Sequence, residues 1–274
     1  MVERVGRMTR PGAEIAFADT ASLRTSSPGA TVVMTHGAGL DHTMFDAQVT
    51  ALTVGGYRVM VWDMRGHGQS TLAPDTRFTG ADALGDLVAL LDRCEVHRCV
   101  LVGHSLGGNL SQAFTRAYAD RVHGLIVMDS TPNAGALSRT ERFGLRLAAP
   151  ALGLVPARTL PGLMARASAV TPQAIARTEA TFARMSKRMF LDVWRATVSF
   201  VDPDPDYRSP VPLALVRGAR DQTGNIATSM PRWAQVEGIA ERVIPNAGHV
   251  PTWDAPAATS AALLEVLSQW EWSL

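Results

Sequence analysis

The sequence predicts a doubly wound α/β domain, with a mostly parallel sheet covered by helices on both faces. Three observations carry this reading. Short apolar runs recur at Ile15–Ala18, Thr31–Thr35, Arg58–Trp62, Cys99–Val102, Gly124–Met128, Leu213–Arg217 and Glu241–Ile244. Most are continuous rather than alternating, which marks strands covered on both faces. Helix-spaced patterns fall between them, most clearly over Met44–Val54, Ala81–Cys94, Leu106–Ala119, Ile226–Val236 and Ala255–Trp270. Strands alternating with helices in this way build a parallel sheet between two helical layers.

The third observation is the connection from Asp129 to Leu213, too long for one crossover. It holds helical patterns over Arg139–Ala149 and Pro172–Phe200, and Thr171-Pro172 reads as an N-cap followed by proline at the first helical position. The apolar positions Leu160, Met164, Ile175, Phe182, Met189 and Val193 need something to cover. Packing on a distant flank would satisfy them, but insertions at the carboxyl edge of such a sheet line the ligand crevice, so a helical cap there is the expectation. The chain then divides into a core over 1–132, an inserted cap over 133–209 and the rest of the core over 210–274. Asp202-Pro203-Asp204-Pro205-Asp206 has the acidic spacing of a calcium loop. It lacks the glycine at the sixth position and the glutamate at the twelfth, and reads as a stiff hinge.

Composition narrows the partners. The net charge is +1 and the single lysine, Lys187, stands among scattered arginines with no basic stripe. That disfavours nucleic acid. No continuous apolar run reaches the roughly 18 residues of a membrane span. The polar amino terminus lacks the pattern of a secretion signal, so a cytoplasmic location is expected. Cys94 and Cys99 read as reduced, buried thiols, and no four-ligand metal pattern exists.

The most informative segment is Gly103-His104-Ser105-Leu106-Gly107, which follows an apolar strand and opens a helix. A serine between glycines on such a turn has its hydroxyl lifted out of the backbone, as a nucleophile requires. Alone, the spacing also fits an ordinary strand-to-helix turn. Serine is a poor nucleophile near neutral pH and needs a base, usually histidine, oriented by a carboxylate. His249, in the Gly248-His249-Val250-Pro251 loop after the last strand, is the candidate base. His42, His97 and His123 read as exposed, and His104 as pointing away from the site. Asp221, turning off the strand Leu213–Arg217, is the candidate acid, and Asp129, after the preceding strand, competes with it. The backbone N–H of Leu106, at a helix start, and that of Ala38, in Thr35-His36-Gly37-Ala38-Gly39, are the candidate oxyanion donors.

These pieces together, with Asp63-Met64-Arg65-Gly66-His67-Gly68-Gln69-Ser70 and Arg217-Gly218-Ala219-Arg220-Asp221, resemble the α/β-hydrolase superfamily. The resemblance runs from residue 36 to 249. It implies an eight-stranded, mostly parallel sheet with a cap after the sixth strand, and no cofactor. The Asp63–Ser70 loop is implied to be structural. Serine at position 105 resembles the esterase, enol-lactonase, carbon–carbon (meta-cleavage-product) hydrolase and perhydrolase branches, not those with an aspartate nucleophile. Asp254 departs from the pattern, since many relatives carry glutamate there. The expected activity is hydrolysis of an ester or lactone of a small apolar or aromatic substrate through an acyl-enzyme. Carbon–carbon cleavage, acyl transfer to another acceptor and a ligand receptor on the same fold stay open, as does self-association.

Overall fold

The structure, a computed structural model, describes residues 5–21, 30–136, 144, 147 and 150–270. Its strands are β1 (Val5–Arg10), β2 (Ala13–Asp19), β3 (Thr31–Thr35), β4 (Arg58–Trp62), β5 (Thr71–Leu72), β6 (Cys99–His104), β7 (Val122–Met128), β8 (Leu213–Gly218) and β9 (Arg242–Ile244). Eight lie side by side in the order β1-β2-β4-β3-β6-β7-β8-β9, and the two-residue β5 pairs with β2 outside that path. β2 runs antiparallel to β1 and β4, while every pair from β4 to β9 is parallel. β1 is only weakly marked in the sequence because it is a mixed, exposed edge hairpin, with Arg7 facing Glu14 in solvent. This is the fold of an α/β hydrolase.

The continuous apolar runs have the predicted cause. In β3, Val32 and Met34 face one helical layer and Val33 the other, all at 0 % exposure. Val100 and Val102 alternate with Cys99 and Leu101 in the same way along β6. Each such side chain contributes roughly 1.5–3 kcal/mol on burial. The helices are α1 (Asp46–Val54), α2 (Gly80–Arg93), α3 (Leu106–Ala117), α4 (Leu160–Ser168), α5 (Pro172–Phe182), α6 (Lys187–Ser199), α7 (Ile226–Glu237), α8 (Pro251–Asp254) and α9 (Pro256–Gln269). Among the described residues, no helix is long and apolar enough to cross a membrane. Cys94 and Cys99 carry free thiols, and burial pushes that of Cys99 up to about 12.

The stretch between β7 and β8 holds α4, α5 and α6. The helix expected over Arg139–Ala149 lies outside the described residues, except that Gly144 and Leu147 are helical. Pro172–Phe200 is two helices rather than one continuous run. Ser186 turns extended and caps α6 by accepting the Met189 N–H. Thr171 caps α5 through the Ala174 N–H, as its spacing predicts. The ends of the stretch are tied together, since Asp202 and Asp204 N–H groups donate to the carbonyls of Asn133 and Ala134. Arg116 pairs with Asp204 at 2.9 Å beside them. The acidic hinge is thus held by backbone bonds and an arginine.

These helices lie across loops at the carboxyl ends of the core strands. Phe182 packs on Gly39 after β3, and Met189 on Gly66 after β4. Arg177 bridges to Asp46 at 3.1 Å and sits over the Trp253 ring. The loop from β6 into α3 is held just as tightly. A Cβ on Gly107 would lie 2.2 Å from the Thr35 carbonyl oxygen of β3. Gly107→Ala must therefore push the α3 and β3 backbones apart. We expect a cost of about 3 kcal/mol, seen as a fall of roughly 6–12 °C in Tm; an unchanged Tm would contradict this packing.

Candidate active site

Ser105 stands between β6 and α3 with φ 51° and ψ −117°, a left-handed conformation that a non-glycine residue adopts only when its surroundings impose it. They do so through the Ser105 N–H, which donates to Met128 O at 2.9 Å, and through its carbonyl, which accepts from the Asn109 N–H and the Ser130 hydroxyl. Leu106 is the first helical residue, so no carbonyl one turn back claims its N–H. The loop carrying Ala38 lies against the serine. A Cβ on Gly37 would come 3.2 Å from Ser105 Cβ and 2.5 Å from His104 Nδ1.

His249 follows β9 on a loop clamped from two sides. On one side, Arg220 and Ala219 N–H groups donate to Ala247 O and Ile244 O, and a Cβ on Gly218 would meet Gly248 O at 1.9 Å. This holds the Asp221 loop against the His249 loop. On the other side, Asp254 accepts from Gly248 N, Val170 N and Thr171 N, and from the Thr171 hydroxyl. The carboxylate thus joins the histidine loop to the start of α5. A longer glutamate is not needed here, because chain 168–171 comes to meet the shorter acid.

His249 Nδ1 lies 2.9 Å from Asp221 Oδ2, with both side chains almost wholly buried. Asp221 Oδ1 accepts the Thr223 N–H at 2.8 Å. Burial alone would raise the Asp221 carboxyl. The His249 ring, its hydrogen bond, the Thr223 N–H and a bond from Asp129 outweigh it and hold the group down to about 2.

Asp129 is engaged differently. It sits at φ 43°, and its Oδ1 accepts the Gly218 N–H at 2.8 Å. Its Oδ2 is buried without an N–H donor. Burial, then the charge of Asp221, push its carboxyl well above the usual range. The fold therefore favours the protonated form of Asp129 beside the charged form of Asp221. Asp129, Asp221 and His249 offer ligand atoms within 4.8 Å of one another, a donor set of cation-site type. Their hydrogen bonds fit a proton better, since His249 Nδ1 and the Asp221 oxygens are already engaged with each other and with Thr223.

Two histidines differ from their sequence reading. His104 does not point away: it lines the same cavity as Ser105 and His249, donates Nε2–H to the His249 carbonyl at 2.5 Å and packs ring on ring at 4.9 Å. Burial, then the neighbouring His249, lower it to about 3, so it stays neutral. His42 is not a solvent histidine either. It pairs with buried Asp63 at 2.9 Å, while Asp63 also accepts the Gln69 N–H. Within the Asp63–Ser70 loop, Arg65 grips Asp86 with two nitrogens at 2.7 and 2.8 Å.

Ser105, His249, His104 and Ala38 border a cavity of about 400 Å³, mouth included, and the inserted helices supply Met164, Phe182, Phe190 and Trp194 to it. Residues 32–262 match the family model described as "Alpha/beta hydrolase family". The chain belongs to the α/β-hydrolase family. It is similar to a putative carbamate hydrolase RutD from Variovorax paradoxus, 36 % identical over 39 % of this chain and 41 % of that protein. A putative carbamate hydrolase RutD from Caulobacter sp. is 27 % identical over 87 % of this chain and 90 % of the relative. Among solved structures, a thermophilic esterase from Thermogutta terrifontis superposes with a TM-score of 0.76 at 26 % identity, covering 97 % of both chains.

The opposed shifts of the two acids yield a pH prediction. Asp221, held low, contributes stability above the usual carboxylate range that is lost as pH falls toward 2. Asp129, held high, contributes stability below that range that is lost as pH rises through its folded-state value. Asparagine at 129 keeps a donor for Asp221 and has no proton to lose. Thermal melts of Asp129→Asn should therefore gain several degrees on the parent as pH rises from 4 to 8; a flat difference would show that the fold does not raise the Asp129 carboxyl.

Proposed function

We propose that the protein is a serine hydrolase acting on small carboxylic esters or lactones, with Ser105 as nucleophile, His249 as base and Asp221 as the orienting acid. The observation that carries this reading is the meeting of Ser105 and His249 at one cavity, with His249 Nδ1 held 2.9 Å from a buried carboxylate. The bond to Asp221 keeps a proton on Nδ1 and leaves Nε2 to take the serine proton. The serine oxygen attacks the carbonyl carbon, and the oxyanion is met by the N–H groups of Leu106 and Ala38, strengthened by the α3 dipole. His249 then protonates the leaving alcohol, which departs as the acyl-enzyme forms. Water, deprotonated by His249, attacks the acyl carbon; the serine oxygen then leaves, takes that proton back from His249, and the acid is released. Neutral His104 beside His249 adds no like charge when the imidazolium forms.

Residues 133–209 act as the cap, and the Met164, Phe182 and Phe190 side chains favour an apolar or aromatic acyl group. The solved esterase at 26 % identity supports the ester reading. The likeness to a putative carbamate hydrolase along nearly its whole length favours one second reading, the same serine attack on a carbamate carbonyl.

Two measurements test the mechanism. Ser105→Ala should lower p-nitrophenyl ester turnover by more than about a thousandfold with Tm within a few degrees of the parent. A fluorophosphonate probe should label the parent at Ser105 and leave the variant unlabelled. Undiminished turnover in the variant would end the proposal. A panel of esters, lactones, carbamates and ring-cleavage dienoic diketones then ranks the substrate classes.

A further inference from the structure

Trp194 lies on α6 and lines the cavity beside Ser105 and His249. Its indole nitrogen is buried, and among the described residues it has no hydrogen-bond partner. An indole N–H can only donate, and buried tryptophans normally find an acceptor. Three others in this chain do. Trp62 donates to the Thr35 hydroxyl at 2.9 Å, Trp233 to Glu237 at 3.1 Å and Trp253 to Thr43 O at 3.5 Å. Trp194 is therefore a cavity-lining residue whose buried donor lacks an acceptor among the described residues.

A second group repeats the pattern. Thr223 lines the same cavity, and its hydroxyl is also buried without a partner among the described residues, although its N–H is engaged by Asp221. Among the described residues, no lysine or arginine borders the cavity, and the buried Asp221 carboxylate lies behind His249. A second anionic group on the substrate would meet repulsion there and no counter-charge. A neutral oxygen meets no such repulsion, and Trp194 and Thr223 each carry an unpaired donor on a lining residue.

We infer that the substrate carries, besides the scissile ester or lactone, a second neutral carbonyl oxygen of ketone or amide type, which Trp194 and Thr223 bind by donating hydrogen bonds. This rests on the hydrolytic reading and adds its substrate class. A site built to hydrogen-bond a substrate group discriminates strongly against the analogue lacking it, because its own polar groups are then left unpaired in a dry cavity. The apolar rings of Phe182 and Phe190 hold the carbon skeleton, and Trp194 and Thr223 fix its orientation.

The test is a cycle of paired substrates and variants. The pairs are p-nitrophenyl hexanoate with its 3-, 4- and 5-oxo forms, and α-propyl-γ-butyrolactone with α-acetamido-γ-butyrolactone. Trp194→Phe keeps the ring contact and removes only the donor; Thr223→Val keeps the backbone N–H and removes the hydroxyl. Each variant should lower kcat/KM for at least one carbonyl-bearing member about tenfold further than for its methylene match. Equal effects on both members of every pair, in both variants, would overturn the inference. Calorimetry with Ser105→Ala, which needs no turnover, separates this from the hydrolytic reading. The acetamido lactone should bind about tenfold more tightly than its propyl match, and Trp194→Phe in that background should erase the difference. That result with no hydrolysis by the parent would leave the binding inference standing and remove the reaction. Equal binding of the two lactones by Ser105→Ala, with ester hydrolysis intact, would remove the inference and leave the reaction.

Discussion

The site depends on backbone held against backbone where side chains are excluded. Ser105 keeps its left-handed conformation because β6 and α3 meet at a turn pressed onto β3, with Gly107 against the Thr35 carbonyl. The His249 loop keeps its place because Gly218 lies on the Gly248 carbonyl. Strain of order 1–3 kcal/mol at a functional residue persists only when neighbours over-determine it. Here they are the central strands of a sheet buried on both faces, so the conformation of Ser105 is fixed from the core.

A second layer of control is electrostatic. Three ionisable side chains from three strand ends share one buried space, and only one negative charge is stable there. The protein responds by pushing the two acids apart, Asp221 down to about 2 and Asp129 well above the usual carboxylate range. Titratable groups whose surroundings separate their pKa values have separate tasks. The acid held low faces the imidazole, and the acid held high accepts the Gly218 N–H behind it. Asp254 adds a mechanical link, since one carboxylate holds both the histidine loop and the approach to α5. The start of α5 and the loop that carries His249 thereby share one anchor.

Much of the fold was legible because burial on both faces leaves a continuous apolar signature. β3 and β4 begin and end where their runs do, while the pairing before residue 15 was only weakly marked because an exposed hairpin edge carries no such run. The break in Pro172–Phe200 was hidden by apolar spacing that continues across it, though Ser186 was a usable cap signal. That Ser105, His249 and Asp221 come together was legible because each stands at a glycine-marked turn after a strand. Asp129 as a protonated partner was not, since its state depends on a neighbour distant in sequence and on burial. His104 and His42 were misjudged for the same reason, because spacing does not show what a side chain meets across the sheet. Trp194 carried no signal in the sequence beyond being a tryptophan on a helical pattern, and its importance is a missing partner that only the folded chain reveals.

The central claim is that a carbonyl carbon becomes covalently attached to the oxygen of Ser105 during turnover. Rapid-quench peptide mass spectrometry with a slowly deacylating ester tests it most directly. The peptide holding Ser105 should gain the acyl mass within one turnover and lose it as the acid appears. Product formation with no acyl mass on that peptide, or with the mass on another residue, would contradict it.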